Sequence, residues 1–380
     1  MQFEFDKIIS RAGTSSSKWN KYARPDVIPM WVADMDFETA PCIKNALLNR
    51  INHGIYGYTE PPKELPYTVA KYLKTEFNWS IDTDWIVWLP SLVVGLNVVS
   101  RAFAEEGDKI LSNTPIYPPF LSAPTNGNRE TITAPLVWSG AKWVMDFDML
   151  EKTVTSKTKA FLFCNPHNPT GRVWDIEELN ALVTFCRKHN LTLISDEIHA
   201  GLILDRDKKH IAAASLPEAA DISVTLLSAS KIFNIPGLGC AYAIVKNPAL
   251  RNKLKKTMNG IVHHVGALGY TATLAAYAEG KSWHNALLDY LRLNRDCVQN
   301  TLSAHALLTT YHSEATYLTW IDARQMGVEN PSRYFEDFGV GIYDGAPFGA
   351  PGFLRLNFAC PRTMLTEALS RIQRGLNALA

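Results

Sequence analysis

The sequence predicts an α/β fold, a mainly parallel central sheet with helices on both faces, joined to a smaller α+β domain. Three observations predict it. The middle of the chain alternates short, almost uninterrupted apolar runs with helical patterns; the last hundred residues change character; and 380 residues exceed what one small core needs. Taken in order, AFLFC (160–164), LTLIS (191–195), ISVTLLS (222–228) and CAYAIV (240–245) are apolar almost throughout. Strands covered by helices on both sides read this way. Helical patterns near 176–189 and 250–258 accompany them, which is the alternation expected of parallel strands joined by crossover helices. Further on come a helical pattern from about 283 to 305, the strand-like YLTWID and FLRLNFA, and a final helix from about 364. In that helix Leu365, Leu369, Ile372, Leu376 and Leu379 share one face. The organisation expected is an N-terminal segment, 1–45, joining the smaller domain; a large domain, 46–280; and a small C-terminal domain, 281–380. No composition break or repeat marks a linker.

Composition narrows the partners. With 38 basic and 37 acidic residues the chain has a net charge of +1, which gives no electrostatic reason to expect a nucleic acid or an anionic membrane. Small molecules are the expected partners. The N-terminal MQFEFDKIIS lacks the basic-then-apolar layout of a signal peptide, and no apolar run reaches membrane-spanning length, so a cytoplasmic location is expected. Six scattered cysteines without CxxC spacing indicate neither a zinc site nor a disulfide framework. No metal is expected.

In open α/β sheets ligands gather at the carboxyl ends of the strands, and the distinctive loops of this chain lie there. NPHNPTG (165–171) follows AFLFC, DEIHA (196–200) follows LTLIS, and ASK (229–231) follows ISVTLLS. Singly, each has an ordinary reading: a turn rich in Asn, Pro and Gly, a helix-capping aspartate, a solvated lysine. Together they match one chemistry. Pyridoxal phosphate needs a lysine for its Schiff base, an acid opposite its pyridine nitrogen and donors for its phosphate. Lys231 can form the imine, Asp196 can hold the pyridinium protonated, Asn168 can hydrogen-bond the ring hydroxyl, and Ser228 and Ser230 can donate to phosphate. A nucleotide-binding α/β protein lacks support, since neither GxGxxG nor GxxxxGK[ST] occurs where a phosphate loop is expected.

NPxNPTG, then D-x-x-H, then S-x-S-K, then an arginine in the last domain, in that order, resemble the fold type I pyridoxal-phosphate enzymes of aminotransferase class I/II. Within that class, SSKWNKY (16–22), PMWVADMDF (29–37), GYT (57–59), SDEIH (195–199) and SKIFNIPGL (230–238) look like the MalY/PatB branch of cystathionine β-lyases and related C–S lyases. The resemblance implies that Tyr117 stacks on the cofactor ring and that the amides of Leu92 and Val93, in SLVVGLN, bind phosphate at a helix N-terminus. It implies that Tyr58 reaches the phosphate of a neighbouring subunit in a homodimer with shared active sites. Arg355, in FLRLNFACPR, matches the arginine that clamps the substrate α-carboxylate, and Ala33 falls where backbone approaches that group. Two departures stand out: His199 occupies a position that is tyrosine in many class members, leaving its contact with the ring hydroxyl open, and Gly239 stands where many place a phosphate-neutralising arginine. The implied reaction is β-elimination from L-cysteine thioethers, with Lys231 as general base. An aminotransferase using the same residues, and a branch member with an added regulatory role, remain alternatives. Trp31, Tyr343 and Phe348 are candidates, by loop position, to face the sulfur substituent.

Overall fold

The structure, a computed structural model, describes residues 3–379. Its larger sheet has eight strands. In spatial order they are β2 (Ile86–Leu89), β9 (Ala241–Ile244), β8 (Ser223–Leu227), β7 (Thr192–Asp196), β6 (Thr158–Cys164), β3 (Lys109–Thr114), β4 (Glu130–Trp138) and β5 (Trp143–Met145). The five from β8 to β4 are parallel to one another, while β5 runs antiparallel to β4, and β9 antiparallel to both β8 and β2. The reason lies in the connection into β9. It holds only a four-residue helix, Ser230–Phe233, and a 3-10 turn, Pro236–Leu238, too little to carry the chain back across the sheet for a parallel return.

Alternate residues of each central strand feed different cores. Ala160, Leu162 and Cys164 of β6 pack on one face with helix Leu92–Phe103. Phe161 and Phe163 pack on the other with helix Ile176–Lys188. Both faces are therefore apolar, which is why β6 reads as a continuous run. Helix Ile176–Lys188 starts at a reciprocal cap, with Asp175 Oδ1 accepting from the Glu178 amide at 2.9 Å and Glu178 Oε2 accepting from the Asp175 amide at 3.0 Å.

The second sheet has five strands in the order β1 (Ile28–Met30), β12 (Val340–Asp344), β13 (Phe353–Asn357), β11 (Leu318–Asp322) and β10 (Thr309–Thr310). The first of these comes from the start of the chain and pairs parallel with β12. That pairing brings the residues after β1 beside the strand that carries Arg355. Helix Lys281–Leu302 and the final helix, Arg362–Asn377, pack together over this sheet. Among the described residues no helix is long and apolar enough to cross a membrane.

Candidate active site

Three adjacent parallel strands end together. Cys164 of β6 lies opposite Asp196 of β7, and Asp196 opposite Leu226 of β8, so the loops after them emerge at one edge of the sheet. A cavity of about 250 Å³ opens there, bordered by Asn168, Asp196, His199, Ser228, Ser230 and Lys231. Strand β13 adds Arg355 from the second sheet, and the segment after β1 adds Ala33.

Lys231 is half-buried, and its Nζ donates to the Ala33 carbonyl at 2.5 Å, an oxygen that also accepts from the Tyr317 hydroxyl at 3.0 Å. Burial lowers its ammonium pKa to about 8, with Asp34 opposing from a distance. The stretch that supplies this carbonyl is held from both sheets. Asn234 closes the lysine's short helix in the left-handed conformation, φ 55°. Its amide bonds Met35 N, Met35 O and Phe37 O, each at 2.9 Å. From β13, Asn357 Nδ2 donates to Val32 O at 2.6 Å and Asp34 O at 2.7 Å. Lys18 and Arg11 pair with Asp36 at 2.6 and 3.1 Å, and Arg11 also pairs with Asp34 at 2.9 Å. PMWVADMDF is thus a fixed backbone roof.

The charges around the lysine are conspicuously unmatched. Asp196 is buried with only the Ile198 amide, at 3.1 Å, on one oxygen. Burial pushes its pKa up to about 7. Arg355 is buried with no carboxylate partner: Nη1 donates to Asn168 Oδ1 and Nη2 to Trp31 O, both at 3.0 Å, and Nε is unpaired. The rings of Phe348 and Tyr343 flank its guanidinium at 4.8 and 5.1 Å, and burial lowers its pKa to about 10. A buried charge left this way is costly unless a ligand supplies the counter-charge. Because Arg355 engages Asn168 Oδ1, that side chain keeps its NH₂ group to donate. His199 is buried with Nδ1 unpaired, and desolvation drops its pKa to about 3, keeping it neutral.

At the far end, Ser91 caps helix Leu92–Phe103 by accepting from Val94 N at 3.2 Å, which leaves the amides of Leu92 and Val93 for an anion. Both residues border the cavity, as does Tyr117. Ser228 donates its hydroxyl to Cys240 O at 2.7 Å and accepts from Ser230 N at 3.0 Å, so it would have to rotate to donate elsewhere. Gly239 takes φ +59°, and a Cβ there would lie 3.1 Å from the Pro90 carbonyl; both the backbone conformation and this close approach disfavour a side chain at this position. Of the residues expected to hold cofactor or the substrate carboxylate, only Tyr58 is not brought by this chain to its own cavity: it is fully exposed beside a separate hollow with Tyr56, Leu238, His263 and His264. Trp31 and Tyr343 border the cavity, whereas Phe348 lies wholly buried beneath Arg355 and does not.

Other residues here escaped the sequence reading. Cys164 lies under Asn168, its Sγ accepting from the Asn168 amide at 3.4 Å; burial raises its thiol pKa well above the usual value, so it packs as an inert group. Asn357 had a signal, since it follows Arg355 by two residues and so shares its face of the strand. Tyr317 and Asn234 act through main-chain groups distant in sequence, which no local spacing reveals.

Three neighbouring strands and one strand of a second sheet converge on a single half-buried lysine, and the surrounding unmatched charges await a small molecule bearing both signs. That defines a lysine-centred α/β enzyme. Known proteins supply the family: the family model for aminotransferase class I and II matches residues 25–372, and the chain belongs to that family. Among curated relatives, cystathionine beta-lyase PatB of Bacillus subtilis (strain 168) is 35% identical over 387 residues, spanning 98% of this chain and 100% of the relative. The crystal structure of OvoB superposes with a TM-score of 0.97 at 42% identity, covering 99% of this chain and 100% of that one. The PLP-bound C-S lyase from Staphylococcus hominis gives 0.93 at 32% identity, covering 99% and 98%.

Asp196 makes a testable contribution to stability. Its pKa is about 3.9 in an unfolded chain and about 7 in the folded one. Between those values the folded state keeps a proton that the unfolded state has released, so stability from this group is present at low pH and is lost as pH rises through 4 to 7. In the ligand-free protein, Asp196→Asn should therefore be the more stable form at pH 8, by on the order of 2–4 kcal/mol, with the gain shrinking toward pH 4. Urea titrations of both proteins across that range check it; a pH-independent difference would contradict it.

Proposed function

We propose that the chain is a pyridoxal-phosphate-dependent C–S lyase of the cystathionine β-lyase type, releasing thiol, pyruvate and ammonia from L-cysteine thioethers. The full-length similarity to PatB carries the choice of reaction; the cavity supports the cofactor. Its residues fit the group: a half-buried lysine, a carboxylate lacking a cation, an amide keeping its NH₂ donor, and a helix N-terminus with free amides. Lys231 would hold the aldehyde carbon, Asp196 the ring nitrogen, Asn168 the ring hydroxyl, and Leu92, Val93, Ser228 and Ser230 the phosphate. Neutral His199 borders the same space, and Tyr117 would cover the ring. When bound, pyridoxal phosphate supplies an electron sink for a carbanion at the substrate Cα.

The chain's residues do the rest. Arg355, oriented by Asn168 and Trp31 O, receives the α-carboxylate as a planar bidentate partner. Lys231, freed once substrate takes its place, accepts the Cα proton at Nζ; a pKa near 8 suits this transfer at neutral pH. The electron pair of the C–H bond then serves to expel the β-thiolate as the Cβ–S bond breaks. The thiolate leaves to take a proton, and 2-aminoacrylate, once free in water, becomes pyruvate and ammonia. Ala33 O, already an acceptor for Nζ, steadies the ammonium form.

The proposed working unit is a homodimer. Ile55, Tyr56, Tyr58 and Ile261 are large, exposed apolar side chains, and a second copy covering them would bring Tyr58 to the neighbouring cavity's phosphate end. Tyr58→Phe should keep the dimer and weaken pyridoxal-phosphate retention about tenfold or more. Unchanged retention in a proven dimer would remove Tyr58 from the site. The six free thiols suit the reducing cytoplasm, which is the proposed location.

The reaction is tested by supplying L-cystathionine without any 2-oxo acid. Pyruvate formed over many turnovers is the expected result. Absence of pyruvate, with turnover appearing only when a 2-oxo acid is added, would make the enzyme an aminotransferase.

A further inference from the structure

The outer part of the cavity is aromatic. Trp31 and Tyr343 border it and meet edge to face, their ring centroids 5.6 Å apart. Over them stands Lys21, with Nζ 4.1 Å from the Trp31 centroid, 5.5 Å from that of Tyr343 and 5.2 Å from that of Tyr22. Aromatic faces attract a cation but leave its charge unneutralised.

The acids nearby do not supply the missing charge. Glu336 and Asp344 act on Lys21 only through space, without a hydrogen bond to it. Glu336 is paired with Arg333 at 3.3 Å, and Asp344 Oδ1 accepts from the Ala346 amide at 3.0 Å. Desolvation is the largest influence on Lys21 and disfavours its charge. An exposed ammonium held over aromatic rings without a carboxylate partner is available to an incoming anion.

Its position says which anion. The Tyr343 ring is close to two unmatched cations, with the Arg355 guanidinium 5.1 Å from its centroid and the Lys21 ammonium 5.5 Å from it. Arg355 is deep and takes the α-carboxylate. A substituent on sulfur that runs past Trp31 and Tyr343 ends near Lys21. We propose that Lys21 is a specificity-determining residue that selects cysteine thioethers whose sulfur substituent ends in an anionic group, over those ending in a neutral or cationic one. This rests on the C–S lyase reading.

Three thioethers of similar length test it on the cofactor-loaded enzyme: S-(2-carboxyethyl)-L-cysteine, S-propyl-L-cysteine and S-(2-aminoethyl)-L-cysteine. The wild type should rank them anionic, neutral, cationic by kcat/KM. Lys21→Met should lower kcat/KM for the anionic substrate alone, by about 5- to 20-fold, the loss of one favourable charge contact. Lys21→Arg should keep the ranking, and Lys21→Glu should favour the cationic substrate over the anionic one. The neutral substrate reports the amount of active, folded enzyme in each variant. An unchanged anionic-to-neutral ratio in Lys21→Met, or an equal fall for all three, would overturn the assignment and leave Lys21 a packing residue. If the wild type turns over none of the three and no cystathionine, the lyase reading fails and takes the assignment with it; turnover of all three without preference overturns the assignment alone.

Discussion

Lys231→Ala should lower kcat for thioether elimination by about 10³-fold or more, because in the proposed mechanism one side chain supplies both the cofactor's attachment point and the base for the Cα proton. The loss should fall on kcat rather than on KM, since Arg355 and its support from Asn168 and Trp31 O are untouched. The variant should fold: a half-buried ammonium with one carbonyl partner contributes little to stability, and its removal leaves Ala33 O still bonded to the Tyr317 hydroxyl. Added ethylamine should restore part of the turnover, with a rate that rises with the fraction of free amine. Steady-state kinetics with and without the amine check this. Turnover within tenfold of wild type would place the base elsewhere.

Arg355→Met is the second large effect, and it should separate function from stability. The guanidinium is buried without an acid and with Nε unpaired, a cost that the empty protein carries for the sake of a carboxylate ligand. Its loss should raise KM and lower kcat/KM by about 10²- to 10³-fold, the usual penalty for removing one partner of a buried charge pair. The ligand-free variant should be as stable as wild type or more so, since methionine fills similar space between the Phe348 and Tyr343 rings. Arg355→Lys should recover little activity, because a point charge cannot replace a planar fork bonded to both Asn168 and Trp31 O. Kinetics and thermal melts on the same preparations decide it; a variant that loses stability and activity in proportion would make Arg355 a structural residue.

The central strands were legible because helices cover them on both sides, which forces the apolar runs of β6, β7 and β8. Strand β3, KILSNT, was not, since Ser112 and Asn113 are buried polar residues satisfied only by neighbouring strands, through Leu162 O at 2.8 Å and Ala134 O at 3.0 Å. Strand β4 lies near an edge with much of its surface exposed, and its ETITAPLVW has no clean pattern. In the site, Lys231, Asp196 and Asn168 could be read because each lies at the end of its strand or in the loop just after it, and their strands are adjacent. Arg355 was found by resemblance, and its lack of an acid became visible only in three dimensions. The roof over Lys231 was hidden for a different reason: its recognition runs through carbonyls, so the informative residues, Asn234 and Asn357, are far in sequence from what they hold. Gly239 read as a missing arginine, while its positive φ and the nearby Pro90 carbonyl show a backbone requirement.

The proposed chemistry requires Lys231 to be the residue that carries the cofactor. The most direct test is to reduce the pyridoxal-phosphate-loaded protein with borohydride, digest it and locate the attached pyridoxyl group by mass spectrometry. A single modified peptide, with the mass on Lys231 and with activity lost in step, is the expected result. A label on any other lysine, or none while elimination activity persists before reduction, would contradict it.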